Sequence, residues 1–367
     1  MQLEALEIRR VALPLRAPFR TSFGVEQERD VLLVRAIASE AEGWGECVAS
    51  REPSYSSEYT AAAKLTIERF LAPRVLDGPI TAIEVAERLS PIRGHRMAKA
   101  AVEMAILDAE LKSIGQSFAR FLGGVRERVD CGVSVGIEDD IGRLIEIVDR
   151  FIGEGYKRIK LKIEPGWDIE PVRSVRDKFG DDLLLQVDAN AAYSLADARH
   201  LARLDEFDLL LIEQPLPEED IGGHVELART VKTPICLDES ITSAAVAADA
   251  IGRGACSIIN IKAGRVGGYI EARKIHDLCA AHGVPVWCGG MLESGLGRAA
   301  NVALASLPNF LLPGDTSASD RYYATDLTKP FALEDGQLRV PIGPGLGVEP
   351  LPDVLADITR GVETIRL

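Results

Sequence analysis

From residue 129 onward, short and continuously apolar runs alternate with amphipathic stretches. The runs are VDCGVSVGI, YKRIKLKI, LLLQVD, LLLIEQP, TPICLD, CSIINIK, VPVWCGG and, less regularly, NFLLPGD. Their length and bounding turn residues predict strands, and the stretches between them carry helical periodicity. Strands apolar on both faces belong to an all-parallel sheet covered by helices. Eight such units with right-handed crossovers close into a (β/α)8 barrel. An open doubly wound sheet is the competing α/β architecture, but it gathers functional residues at one switch point. Here charged residues stand at nearly every strand end.

The first 120 residues follow a different pattern. EALEIRRVALPL, ERDVLLVRAIAS and GWGECVAS predict three strands, followed by helices over SSEYTAAAKLTIERFLAPRVL and HRMAKAAVEMAILDAELKSIG. Between the first two strands, RAPFRTSFGVEQ predicts a loop. Its Phe19 and Phe23 either anchor that loop by packing or line an apolar substrate pocket. The pattern divides the chain into an α+β unit over 1–125 and a barrel over 126–321. The final segment, 322–367, leaves the barrel pattern, and its turn-rich FALEDGQLRVPIGPGLGVEP suggests a hairpin packed back on the first unit.

Charge at the strand ends adds chemistry to this frame. Asp188 closes LLLQVD, Glu213 closes LLLIE and Asp238 closes PICLD, at steps of 25 residues. That pitch fits one strand–helix unit, since eight units occupy about 250 residues. On a barrel the three carboxylates converge at one mouth. Each alone reads equally as a helix-capping acid. Three in register describe an all-oxygen set suited to Mg²⁺ or Mn²⁺ rather than zinc. Lys160 and Lys162, two residues apart, share one face of their strand, and Lys262 falls across the barrel from them. Inward charge on a barrel strand is costly unless it serves a site. Two lysines facing one another across a metal suit proton removal from either face of a carbon acid, and mutual repulsion and metal proximity lower a lysine pKa toward that work.

Composition narrows the partners. At 367 residues the chain accommodates a large domain and a smaller one. A net charge of −14 disfavours nucleic acid and anionic membranes. No apolar stretch reaches membrane-spanning length, and MQLEALEIRR lacks a secretory pattern, so a cytoplasmic location is expected. Six scattered cysteines read as reduced core thiols. The five histidines show no zinc spacing. AGRVGG, around Arg265, lacks dinucleotide-fingerprint spacing.

KLKIEPGWD, QVDAN, IEQPL, CLDES, NIKAGRVGG and VWCGGMLESGLGRAANVALASLPNFLLPGDTSASDRYY together resemble the enolase superfamily. Within it they are similar to the muconate-lactonizing-enzyme subgroup, and to its o-succinylbenzoate synthase/N-acylamino acid racemase family, over essentially the whole chain. The resemblance implies a modified (β/α)7β barrel with an N-terminal α+β capping domain, and a divalent cation, Mg²⁺ or Mn²⁺, on Asp188, Glu213 and Asp238. It implies Lys162 and Lys262 as the acid/base pair, Lys160 at the substrate carboxylate, and Asn190 and Glu239 beside the metal shell. The mandelate-racemase variant needs a histidine after the seventh strand, where this chain has WCGGMLES. Two reactions follow from the resemblance: dehydration to o-succinylbenzoate for menaquinone synthesis, and racemisation of an N-acyl amino acid, the N-succinyl derivative being the expected one. Arg265 matches an arginine of racemase-competent members and is expected to bias Lys262 toward its neutral form; a plain loop cation is the other reading. Ser134, Phe19, Phe23, Tyr55 and the turn Gly289–Ser294, including Gly290, Met291, Leu292 and Glu293, are candidate substrate contacts. The glycines of that turn also read as no more than a tight bend. A dipeptide epimerase and a non-catalytic binding barrel are the rival functions, and a symmetric homo-oligomer is expected of the family.

Overall fold

The structure, a computed structural model, describes residues 1–366. Seven short strands form one curled parallel sheet: β5 (Gly132–Val135), β6 (Arg158–Lys162), β7 (Leu184–Asp188), β8 (Ile212–Glu213), β9 (Ile235–Leu237), β10 (Ile258–Ile261) and β11 (Val286–Cys288), in that spatial order. Nearly every residue in them is buried, as continuous apolar runs require. Residues 309–315 replace a regular eighth strand. Leu311 N donates to Val286 O, Asp315 N to Cys288 O (2.8 Å), and Gly132 N to Gly314 O (2.7 Å), which joins β11 to β5 and closes the barrel. Pro313 removes a ladder donor from within this segment and Pro308 immediately precedes it, which accounts for its irregularity.

Along each strand, alternate residues point inward. Arg158, Lys160 and Lys162 therefore share the interior with Gln186 and Asp188, their parallel-register neighbours being Lys160 with Gln186 and Lys162 with Asp188. At the floor, Leu211, Cys236, Ile258 and Trp287 form a small apolar plug. Above that plug the interior is polar.

A four-stranded antiparallel sheet stands over the mouth: β1 (Leu3–Thr21), β2 (Gly24–Ala38), β3 (Glu42–Cys47) and the C-terminal β13 (Thr359–Ile365), in the order β13-β1-β2-β3. The helix Arg96–Ser113 lies on β3, so close that a Cβ at Gly45 would meet Ala101 O at 2.0 Å. The expected loop between β1 and β2 is instead an extension of both strands. After a register shift between Pro14 and Phe19, pairing resumes at Phe19–Glu26 and runs to a tight turn at Thr21–Gly24. Pro, Ser and Gly here mark the bulge and the turn rather than a disordered connection.

The C-terminal segment returns to the first unit, as expected, but not as a hairpin: Gly345 N donates to Gln116 O (2.9 Å) and Leu346 N to Asp108 Oδ1 (2.7 Å). Gln337–Arg339 (β12) pairs with Arg128–Asp130 (β4) at the base of the barrel, and β13 completes the capping sheet. All six cysteines are free and buried. No helix among the described residues is long and apolar enough to cross a membrane.

Candidate active site

The barrel mouth and the β1–β2 hairpin enclose a cavity of about 620 Å³. Of the residues singled out in the sequence, Lys160, Lys162, Asn190, Lys262, Ser134, Gly290, Met291, Leu292, Phe19, Phe23 and Tyr55 line it, together with Asp315 and Tyr322. Phe19 meets Tyr322 edge-on at 6.2 Å, and Phe23 tilts against Tyr55 at 5.6 Å. The two phenylalanines thus anchor the hairpin and form the wall at once. Arg265 and Glu293 do not reach the cavity surface. Glu293 accepts from Met291 N (2.9 Å) and Asn301 Nδ2 (2.9 Å), so it shapes the strand-end turn from behind.

β6 and β10 lie four places apart in the sheet, which sets Lys162 and Lys262 on opposite sides of the barrel. Lys162 Nζ donates to Asp188 Oδ2 and Asn190 Oδ1, both at 2.6 Å. Lys262 Nζ donates to Asp238 Oδ2 (2.8 Å) and Tyr55 Oη (3.1 Å). Lys160 Nζ is held among three carboxylates: Asp315 Oδ2 at 2.7 Å, Glu213 Oε2 at 3.1 Å and Asp188 Oδ2 at 3.2 Å. Asn190 Nδ2 donates to Glu239 Oε1 (2.9 Å), and Asn260 Nδ2 to Glu213 Oε1 (2.8 Å).

These environments push the lysines apart. Burial, reinforced by the charge of Lys160, lowers the pKa of Lys162 against the pull of Asp188. Burial acts on Lys262 too, but Tyr55 and the carboxylates Glu239, Glu213 and Asp188 outweigh it, and its pKa is raised. The expectation that Arg265 drives Lys262 toward neutrality fails in this geometry. Arg265 is spent on Asp238, with which it forms an ion pair, and on the carbonyls of Ile241 and Asn260. Burial raises Glu239 to about 7 and also raises Glu213, whereas Asp188 is lowered because three lysines outweigh its burial.

Backbone strain gathers at the same strand ends. Asn190 (φ 43°), Ala191 (φ 61°), Gln214 (φ 37°) and Leu292 (φ 58°) are non-glycine residues in the left-handed region, each following β7, β8 or β11. Gln214 shows what the strain secures. Its Oε1 accepts from Asp238 N (3.0 Å) and Ser240 N (3.2 Å), and its Nε2 donates to Ser240 Oγ (2.8 Å), fixing the neighbouring strand end.

Among the described residues no three His, Cys, Asp or Glu groups close on a common point. Each of the three strand-end carboxylates is instead drawn onto an ammonium or guanidinium. The set still fits a hard divalent cation in kind. Asp188 and Glu213 end β7 and β8, Asp238 directly follows β9, and all three are at most 1% exposed and offer only oxygen. Beside them Glu239 Oε2 is buried without a hydrogen-bond partner.

Residues 4–123 match the mandelate racemase/muconate lactonizing enzyme N-terminal domain, and residues 143–354 match the enolase C-terminal domain-like family. The chain belongs to the enolase superfamily. Enzymes of this family use a divalent metal. An N-succinylamino acid racemase from Amycolatopsis is 64% identical over 98% of each chain. An o-succinylbenzoate synthase from Geobacillus kaustophilus is 46% identical over 95% of this chain and 94% of its own. A crystal structure of an enolase-superfamily member from Listeria innocua superposes with a TM-score of 0.96 at 41% identity, covering 100% of this chain and 99% of its own.

Sequence reasoning missed Asp315, Arg158 and Gln214. Gln214 sits in IEQPL, beside Glu213, but a neutral amide gives no charge signal. Arg158 alternates with Lys160 and Lys162 on the same strand, and that spacing was the available clue.

Proposed function

We propose that the protein removes the proton α to a carboxylate and returns a proton to the resulting enediolate, as an o-succinylbenzoate synthase that also racemises N-succinylamino acids. The observation carrying this reading is the pair Lys162 and Lys262, facing one cavity from opposite sides of the barrel with pKa values displaced in opposite directions. Asp188, Glu213 and Asp238 would hold the cation, Mg²⁺ or Mn²⁺, which supplies positive charge to the enediolate oxygens. Lys160 presents a fixed ammonium to the substrate carboxylate at the cavity wall.

Lys162, whose pKa burial lowers toward the range of a general base, takes the α-proton. Lys262, held as a cation, faces the developing charge from the other side and stabilises it. In racemisation Lys262 delivers its proton to the opposite face, and the reverse reaction exchanges the two roles. In dehydration of a succinyl-bearing cyclohexadiene carboxylate, Lys162 passes the proton it has taken to the departing hydroxyl on the same face. Water leaves, and the ring becomes aromatic. Phe19, Phe23, Tyr55 and Tyr322 give that ring or an amino acid side chain an apolar wall.

The test follows α-proton exchange by NMR in D₂O with each enantiomer of an N-succinylamino acid, alongside o-succinylbenzoate formation by absorbance. Lys162→Ala and Lys262→Ala should each abolish racemisation. Lys162→Ala should lower the dehydration rate by roughly 10²–10⁴. Wild-type silence in both assays would overturn the proposal and favour a different carboxylate, such as a dipeptide.

A further inference from the structure

Asp315 follows the irregular segment that closes the barrel, and it is the one carboxylate around Lys160 that stands outside the strand-end set. Its backbone is fixed by the bond from its N to Cys288 O (2.8 Å). Its carboxylate is shared between Lys160 (Oδ2, 2.7 Å) and Arg158 (Oδ1, 2.9 Å). Arg158 is fully buried, donates to Pro313 O (2.8 Å) and lies over the Trp287 ring at 5.1 Å. Lys160 Nζ lies over the same ring at 4.8 Å. Gly132 leaves room for this stack, since a Cβ there would fall 2.3 Å from Arg158 Cζ. The arrangement is built rather than incidental: a guanidinium, an aromatic face and a glycine all serve to seat one carboxylate.

Lys160 also leans on Asp188 and Glu213, two of the residues read above as cation ligands. An ammonium and a divalent cation compete for those oxygens, so a bound cation leaves Lys160 to its remaining partner. We propose that Asp315 is a positioning residue for Lys160: it retains the ammonium at the cavity wall and thereby releases Asp188 and Glu213 to the metal. This inference rests on the assignment of the strand-end carboxylates as ligands.

The test is direct Mn²⁺ binding to the metal-stripped full chain, without substrate, by calorimetry or by the electron paramagnetic resonance signal of free Mn²⁺. Asp315→Asn should weaken Mn²⁺ binding about tenfold, because Lys160 then has only Asp188 and Glu213. Adding Lys160→Met to Asp315→Asn should restore the lost affinity, the signature of coupling through that side chain. Asp315→Glu, which keeps the charge, should stay close to wild type and serves where the asparagine variant fails to fold. An equal loss in the Lys160→Met background, or no loss in either, would overturn the proposal, since the first marks a general field effect and the second no role. If the wild-type chain bound no Mn²⁺ at all, the ligand assignment itself would be wrong.

Discussion

At the scale of single residues, the site depends on side chains that do not line the cavity. Gln214 is fully buried, sits at positive φ and satisfies two backbone N–H groups at the adjoining strand end. Gln214→Ala would leave Asp238 N and Ser240 N without that partner in the interior, at roughly 1–3 kcal/mol for each unpaired group. The expected outcome is a loss of about 3 kcal/mol in urea unfolding, with weaker metal-dependent turnover because Asp238 is no longer held. Unchanged unfolding would mean that water replaces the amide. The charged members of the site were legible in the sequence because a lysine or carboxylate ending an apolar run is conspicuous. Gln214 and Asp315 were not. One is neutral, and the other follows a segment whose prolines blur the strand pattern. The opposite pKa displacements of Lys162 and Lys262 were also illegible, since they arise from partners on other strands.

Between elements, buried carboxylates of the capping unit seat the helices of the barrel. Glu46 on β3 accepts from Ser294 N (3.0 Å) and Gly297 N (3.0 Å) at the start of the helix Gly295–Ala305. Glu103, on the helix Arg96–Ser113, accepts from Ile270 N (3.1 Å) at the start of the helix Tyr269–Ala281. Burial raises Glu103 to about 7, outweighing the backbone N–H groups of Ile270 and Tyr269 that favour its charge. A carboxyl whose folded pKa exceeds its unfolded value stabilises most below the unfolded value, and that contribution is lost as pH rises through the folded one. The window here runs from about 4.5 to about 7, and such a displacement corresponds to about 3 kcal/mol. Glu103→Gln removes the titration, so the variant should gain stability relative to wild type as pH rises from 5 to 8 in thermal unfolding. Parallel curves for the two proteins would show that Glu103 stays ionised throughout. Strands and helices were largely readable from periodicity, but these contacts join residues more than 150 positions apart, and no local pattern encodes them. The β1–β2 hairpin was misread for a related reason: turn residues mark a bulge and a loop alike, and the pairing partner decides.

For the whole molecule, neither unit makes the site alone. The hairpin residues Phe19 and Phe23 and the barrel lysines line the same cavity, Tyr55 Oη bonds Lys262 Nζ, and Arg16 N donates to Tyr322 O (2.8 Å). The helix-seating carboxylates Glu46 and Glu103 join the same two units elsewhere. A cation held deep in the barrel should therefore stabilise the capping sheet as well, although it touches none of its residues. A ligand at 100 times its Kd adds about 2.7 kcal/mol to the state that binds it. If the units unfold together, that increment reaches every segment exposed in the common transition. Hydrogen exchange followed by mass spectrometry across a urea series resolves this, with peptides from β2 (Gly24–Ala38) and β7 (Leu184–Asp188) as reporters. Both should lose protection at one urea concentration, and saturating Mn²⁺ should move both upward by the same amount. If β2 opened at lower urea and only β7 responded to Mn²⁺, the capping sheet would be an independent unit that docks on a finished barrel. The shared increment is what a site assembled across both units requires, because only then does the closed cavity persist as long as the barrel beneath it.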